Sequence, residues 1–228
     1  MKAFIKRTFD IVLSSVGLII LSPIFLVLSI IIVIDSKGGV FFRGERVGKN
    51  GKTFRIFKFR SMKKDCEGKG SYNVSDHDER ITKVGHFLRK SKLDEMAQLI
   101  NVFLGDMSFV GPRPELRYYV DMYTEKEMPI LDLKPGITDW ASIVNSQQYI
   151  GFTKAGANSD EYYLQCVRPL KLKLQLYYRY NNGFFSDLYC IFFTVIKVVS
   201  KTKKLPDDIQ KIVDEHMETA GQYAYELQ

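Results

Sequence analysis

From Ile11 to Ile34 the chain runs through 24 residues without a charge, IVLSSVGLIILSPIFLVLSIIIVI, and no other stretch limits its options as tightly. As one straight helix the run would rise about 36 Å, enough to cross a hydrocarbon core of about 30 Å. It is too long for the apolar part of a cleaved signal peptide, and no small-residue cleavage site follows it. Two details complicate a simple span. Ser22 and Pro23 lie in mid-run, where proline removes a hydrogen bond and kinks a helix. Both flanks are also basic, with Lys2, Lys6 and Arg7 before and Lys37, Arg43 and Arg46 after, so charge gives no orientation. A re-entrant helix, broken at Ser22 and Pro23 with both ends on the cytoplasmic side, accounts for both details. A transmembrane span is the alternative. The Ser22 hydroxyl is placed to satisfy a carbonyl that the break frees.

The rest of the chain is basic, with a net charge of +7 and a pI of about 9.1, while 46% hydrophobic residues support a proper core. Such a balance suits anionic headgroups or phosphorylated substrates. Nucleic acid is set aside, because the basic residues are scattered and form no nucleic-acid-binding fingerprint. Cys66, Cys166 and Cys190 are widely spaced, which speaks against a disulfide framework or a zinc site. His77, His86 and His216 form no ligand pattern either.

The densest chemistry lies in residues 85–115, GHFLRKSKLDEMAQLINVFLGDMSFVGPRPE. Leu93, Met96, Ala97, Ile100 and Leu104 recur at i, i+3, i+4, i+7 and i+11, predicting a helix that buries this face. Asp94, Gln98 and Asn101 line a separate polar face. Ser91 is the predicted N-cap, with Asp94 in the first turn, where the positive helix end favours an ionised carboxylate. Taken alone, S-x-x-D is only a capping box. Its neighbours suggest chemistry: Glu95 follows directly, Arg89 and Lys90 stand one turn upstream, and GPRPE (111–115) follows the helix. Prolines on both sides of Arg113 fix its backbone and aim its guanidinium, a shape suited to bidentate phosphate binding. Upstream, residues 40–62 predict two strands around the loop GKNGK. There Lys58 and Arg60 share one strand face, either as a solvated edge or as phosphate contacts.

At these residues the chain resembles the bacterial sugar transferases, the monotopic polyprenyl-phosphate phosphoglycosyl transferases of the small single-domain type. Their pattern reads R-(K/R)-x-(S/K)-L-D-E-x-x-Q-L-x-N-V-x-x-G-D-M-S-x-V-G-P-R-P. Arg89, Leu93, Asp94, Glu95, Gln98, Leu99, Asn101, Val102, Gly105, Asp106, Met107, Ser108 and Val110 through Pro114 all match. Ala97 stands where the family often has proline. A second segment, KPGITDWASIVN (134–145), follows the family's K-P-G-I-T-G-W-A-x-V-N, with Asp139 in place of glycine and an extra residue before Asn145. The similarity extends over about residues 5–200.

The resemblance implies transfer of a sugar-1-phosphate from a UDP-sugar donor to polyprenyl (undecaprenyl) phosphate, releasing UMP, as the first membrane step of bacterial glycan synthesis. It implies Asp94 as nucleophile, forming an aspartyl-phosphosugar, and Glu95 as the group that orients or deprotonates the acceptor. It also implies Arg89, Arg113, Lys58 and Arg60 as substrate and phosphate contacts, and Mg²⁺ as cofactor with Asp94 as its protein ligand. The implied setting is the cytoplasmic face of the bacterial inner (plasma) membrane, with membrane lipid as a partner and a homodimer left open. For residues 134–145 it suggests a part in the nucleotide-sugar pocket, whereas physics alone makes Trp140 a pin that holds a loop in the core. From another class, a non-catalytic membrane-associated adaptor of a glycan-assembly complex would use the same basic surface.

The expected fold is α+β and helix-dominated. Residues 1–36 form the re-entrant membrane helix, 37–200 a compact cytoplasmic catalytic domain with C-terminal interfacial helices, and 201–228 a tail. Residues 63–80, including SDHDER, read as a solvated loop rather than a metal site. Helices are predicted from 116 to about 127, over 161–180 with an interruption at Pro169, and over 184–200. The last is either interfacial or a buried core helix.

Overall fold

The computed structural model describes residues 2–64, 78–144, 163–200 and 204–226. Most of the loop expected over 63–80, Asn145 and the stretch 148–160 lie outside them. Helix α1 (Lys2–Asp35) contains the whole uncharged run and stays helical through Pro23. Proline leaves the Ile19 carbonyl without its usual donor four residues on. The Ser22 hydroxyl donates to that same carbonyl at 2.8 Å, as its position in the sequence suggests. Ser22, Pro23 and Ile24 are exposed, and burial returns on either side of them, at Ser14 and at Leu28 and Ile32.

Both ends of α1 are tied to one globular body. At the start, Lys6 donates to the Val110 carbonyl at 2.9 Å and pairs with Asp187 at 2.5 Å, while Arg7 donates to the Val102 and Phe103 carbonyls at 2.7 and 2.8 Å. Asp10 accepts from the Ser108 hydroxyl and the Phe109 amide, both at 3.1 Å. At the far end Asp35 accepts from the Val84 amide at 3.2 Å.

The body opens with four short strands, not two long ones: β1 (Phe41–Phe42), β2 (Glu45–Val47), β3 (Thr53–Arg55) and β4 (Lys58–Phe59). β2 and β3 pair antiparallel about the turn at Lys49–Gly51, the anticipated GKNGK loop, and β1 pairs with β4. Helix α2 (Lys83–Ser91) ends at Lys92, whose φ of 59° is left-handed. A 3₁₀ turn (Leu93–Ala97) then leads into α3 (Gln98–Leu104). Ser91 is therefore the last residue of one helix and not the N-cap of the next; its hydroxyl donates back to the Phe87 carbonyl at 2.8 Å.

This also changes the predicted faces. Asp94, Gln98 and Asn101, expected on the polar face, are buried, while of the face expected to be buried Ala97 is buried and Leu104 is 61% exposed. The cause is a change of helical phase. In a 3₁₀ segment residues three apart eclipse, so Asp94 stacks with Ala97 and turns inward with it.

Strand β5 (Ser108–Val110) pairs in parallel with β6 (Gly136–Thr138). Between them α4 covers only Arg117–Val120, shorter than expected. The Thr124 amide is taken by the Glu127 carboxylate at 2.8 Å, and a 3₁₀ turn follows at Met128–Asp132. Helix α5 (Arg168–Asn181) carries Pro169 in its first turn, where a missing N–H costs nothing. Helix α6 (Phe184–Ser200) buries only Asp187 and Cys190 fully and leaves Phe185, Val198 and Val199 more than 70% exposed, so it is not a buried core helix. The tail forms α7 (Asp207–Glu226), whose Ile209 completes a core with Val110, Trp140, Leu174, Tyr178 and Cys190. Among the described residues helices dominate, and the sheet content amounts to three two-stranded pairs.

Candidate active site

Two close backbone approaches build the site's frame. A Cβ on Gly111 would lie 2.3 Å from the Lys134 carbonyl oxygen, and one on Gly136 only 2.1 Å from the Gly111 nitrogen. Glycine at both places lets VGPRP and KPG cross backbone to backbone. The Gly111 amide donates to the Thr138 carbonyl at 3.1 Å and the Gly136 amide to the Pro112 carbonyl at 3.0 Å. Trp140 is 4% exposed and packs edge-on against Tyr189 and Phe193, the pin that physics alone suggested. Arg113 is thereby delivered, on a fixed backbone, toward the 3₁₀ turn. The Val47 amide meets the Glu115 carbonyl at 2.8 Å, which brings β2 and its Arg46 to the same place.

On the other side, Asn101 holds the turn to the strands. Its Oδ1 accepts from the Phe57 amide at 2.7 Å and its Nδ2 donates to the Arg55 carbonyl at 3.0 Å. This clamp sets Lys58, one residue later, against Glu95. The Lys58 ammonium donates to Glu95 Oε1 at 2.9 Å, and Arg113 takes both Glu95 oxygens, Nη1 reaching Oε2 at 3.2 Å and Nη2 reaching Oε1. Burial pushes the Glu95 carboxyl up, but the Arg113 and Lys58 charges outweigh it and hold it well below the usual carboxylate range. Burial lowers the Lys58 ammonium, and Glu95 opposes that.

Asp94 is placed differently. It is 8% exposed, and its Oδ1 has no hydrogen-bond partner among the described residues. Burial raises its carboxyl above the usual value, and neighbouring Lys58 offsets only part of this. Two adjacent carboxylates are thus driven apart, one locked and strongly acidic, the other free on one oxygen and more basic. Such a split marks functional sites.

Of the other residues singled out in the sequence, Arg89 lies close enough for its charge to act on Asp94, while its Nη1 sits 3.9 Å from Met62 Sδ. Arg60 is placed elsewhere. The residue is 7% exposed and its guanidinium donates to the Ile32, Ser36 and Lys37 carbonyls, with 2.7 Å to Ser36, so it caps the C-terminal end of α1. The strand pattern put Lys58 and Arg60 on one face, but β4 ends at Phe59 and the two side chains go to different partners.

Two participants had been given no role at the site. Arg46 is depressed by burial and by the Arg113 charge beside it, and so belongs to the cluster. Gln98 is 1% exposed with Nε2 unpartnered, one helical turn from Asp94. The polar spacing of Asp94, Gln98 and Asn101 was the available signal for Gln98. Arg46 carried none, because only the β2–β3 pairing brings it in.

Among the described residues no group of three or more His, Cys, Asp or Glu side chains is gathered for a metal ion. Glu95 has both oxygens engaged, which leaves Asp94 Oδ1 as the open protein ligand. A single carboxylate suits Mg²⁺ when substrate phosphates and water complete its shell.

Comparison with known proteins gives a consistent picture. A family model described as bacterial sugar transferase matches residues 1–201. The chain is 35% identical over 202 residues to a UDP-N-acetylgalactosamine-undecaprenyl-phosphate N-acetylgalactosaminephosphotransferase of Aeromonas hydrophila, covering 87% of this chain and 44% of that protein. It is 42% identical over 142 residues to the UDP-glucose:undecaprenyl-phosphate glucose-1-phosphate transferase of Escherichia coli (strain K12), covering 61% of this chain and 31% of the relative. An uncharacterized sugar transferase of Bacillus subtilis (strain 168), EpsL, matches at 37% over 195 residues, 86% of this chain and 87% of that one. The chain thus spans less than half of the first two relatives and most of the third.

Proposed function

The chain belongs to the bacterial sugar transferase family, and we propose on that premise that it moves a sugar-1-phosphate from a UDP-sugar to polyprenyl phosphate through a covalent intermediate on Asp94. The observation that carries this reading is the contrast between the two carboxylates: Asp94 keeps a buried, unpaired oxygen while Glu95 is fully engaged.

In the first step Asp94 Oδ1 attacks the β-phosphorus of the donor. The bond from that phosphorus to the bridging oxygen breaks, and UMP leaves with the oxygen and its electron pair. In the second step an oxygen of polyprenyl phosphate attacks the same phosphorus. The Asp94 carboxylate departs, and polyprenyl-diphospho-sugar is the product. Phosphoryl transfer needs positioning and charge neutralisation more than elaborate covalent chemistry. Arg113, Lys58, Arg46 and Arg89 supply four positive charges around two carboxylates. A diphosphate entering the site competes with Glu95 for Arg113 and Lys58. Glu95, strongly acidic, serves better as the group that aims these two cations than as a base for the acceptor. Mg²⁺, held by Asp94 and the diphosphate, would add neutralising charge.

The membrane arrangement is part of the same proposal. The bonds that tie both ends of α1 to one body, from Lys6 and Arg7 at its start and to Asp35 at its end, support keeping those ends on the same side of a bilayer. The exposed apolar residues around Ser22 and Pro23 then enter the lipid and return, with the site on the cytoplasmic face. The acceptor's phosphate would reach Asp94 from that surface. Purified chain in detergent, given a panel of UDP-sugars, should release UMP catalytically only with polyprenyl phosphate present. No turnover with any UDP-sugar would overturn the proposal and favour a non-catalytic adaptor.

A further inference from the structure

We infer that Asp139, standing where the family pattern has glycine, is a positioning residue that fixes Arg113; the inference rests on Arg113 acting at the site proposed above. Pro112 and Pro114 have no N–H, so the Arg113 amide is the one backbone donor of residues 112–114. It donates to Asp139 Oδ2 at 3.2 Å. With the bonds from Gly111 to Thr138 and from Gly136 to Pro112, three successive residues are each held to the 136–139 segment. The first two bonds are backbone to backbone and need no particular side chain. The third exists only because residue 139 has a carboxylate.

Asp139 is 1% exposed and both of its oxygens are used. Oδ1 accepts from the Ser142 amide at 2.7 Å, capping the helical turn that opens at Trp140. Oδ2 takes the Arg113 amide and, at 3.2 Å, Gln175 Nε2. Capping alone needs one oxygen, which Ser or Asn supplies equally well. The second oxygen reaches across to the arginine and is braced from behind by α5. Arg113 carries a long side chain to a two-point contact with Glu95, so a small rotation of its backbone is magnified at the guanidinium.

Asp139→Asn separates the two roles. Asparagine keeps an oxygen for the Ser142 amide and turns an NH₂ group toward Arg113 and Gln175. Gln175 can adapt, since its Oε1 has no partner and its amide can turn. The Arg113 amide cannot, and loses its acceptor.

The test is a double-mutant cycle on UMP release in detergent, with Asp139→Asn, Arg113→Ala and the pair. Asp139→Asn should lower kcat/KM by about tenfold, chiefly through kcat, since misplacing a charge-stabilising group acts on the reacting geometry. In the Arg113→Ala background the same change should alter kcat/KM by less than about twofold. If the two effects multiply, or Asp139→Asn is silent, Asp139 acts apart from Arg113 and the inference is overturned. If Arg113→Ala by itself leaves kcat/KM intact, the reading of the site fails and takes the inference with it. Should Asp139→Asn not fold, Asp139→Ser, which also retains the cap and cannot reach Arg113, enters the same cycle.

Discussion

Asp94 and Glu95 are neighbours in sequence and both are central to the proposed chemistry, yet removing each charge should move stability in opposite directions. Glu95→Gln deletes a carboxylate that pairs with Lys58 and Arg113. The side chains of Lys58, Glu95 and Arg113 are 21%, 18% and 37% exposed. Breaking a buried pair costs about 3–5 kcal/mol, and screening at this partial exposure brings the figure to about 2–3 kcal/mol. At about 2–4 °C per kcal/mol for a chain of this size, the melting temperature should fall by about 4–12 °C. Asp94→Asn removes a charge that burial disfavours and that has a free oxygen, so stability should be unchanged or should rise. The pH dependence separates them again. The Glu95 carboxyl is held low in the fold, so its contribution is present above its unfolded pKa and is lost as pH falls through the folded one. The Asp94 carboxyl is raised, so its contribution is present at low pH and fades as pH rises through its folded value. The deficit of Glu95→Gln should therefore shrink in acid, while any gain of Asp94→Asn should grow toward neutrality. Differential scanning fluorimetry in detergent over about pH 2–8, which extends below the ordinary carboxylate range, reads both, with UMP release measured near neutrality. Transfer by Asp94→Asn within about tenfold of wild type would sink the covalent scheme. A loss of stability in Asp94→Asn equal to that in Glu95→Gln would refute the electrostatic contrast between them.

Arg113→Lys keeps the charge and loses the fork, and should cost about 1.5–3 kcal/mol in transition-state stabilisation; a change in kcat/KM below about twofold would make Arg113 a bystander. Arg60→Lys should lower stability by about 1.5–3 kcal/mol by uncapping α1 while KM for the UDP-sugar holds steady; a raised KM with normal melting would return Arg60 to the phosphate site. Gly111→Ala forces a Cβ to 2.3 Å from a backbone oxygen and should cost more than about 4 kcal/mol. Gly183→Ala, which meets nothing within 4 Å, is its control; equal melting of the two would show that the backbone crossing is not tight. Single cysteines at positions 2 and 37, in a background with Cys66, Cys166 and Cys190 replaced by alanine, should label only when the cytoplasmic side is opened; labelling of position 2 from outside would end the hairpin.

What could be read from the sequence divides by range. The partner of Ser22 was legible because proline dictates which carbonyl is freed, three residues from the hydroxyl. The grouping of Asp94, Glu95 and Arg113 was legible through a contiguous motif and through prolines that restrict one backbone. Misreadings began where a local period was carried past a break. The spacing of Leu93 to Leu104 assumes one uninterrupted α-helix, but left-handed Lys92 and the 3₁₀ turn shift the phase, and Leu104 ends up exposed. The alternation of Lys58 and Arg60 assumes a strand that continues, and β4 stops at Phe59. Arg46 and Asp139 were out of reach for another reason. Each acts across a contact that exists only once β2 has paired with β3, or β5 with β6, and neither pairing leaves a mark in the residues nearby.

The apolar helix is less separable from the site than its composition suggests. Residue 36 marks a change from uncharged to mixed sequence, but the packing does not divide there. Leu28 and Ile32 of α1 share one core cluster with Phe59, Leu88 and Ala97, so the segment after Pro23 packs against the 3₁₀ turn that carries Asp94. Before Pro23, a Cβ on Gly17 would lie 3.2 Å from a Leu99 methyl, so that part of the helix rests on α3, which follows the same turn. The helix thus packs against the Asp94 segment after the proline and against Leu99 of α3 before it; Arg60 donates to carbonyls at the end of α1, and Arg7, near its start, donates to the Val102 carbonyl of α3. Under the proposed reading, lipid contact near Pro23 and the position of Asp94 would both be set by this one helix. On that reading Asp94 would meet a phosphate at the membrane surface without any hinge between the helix and the site.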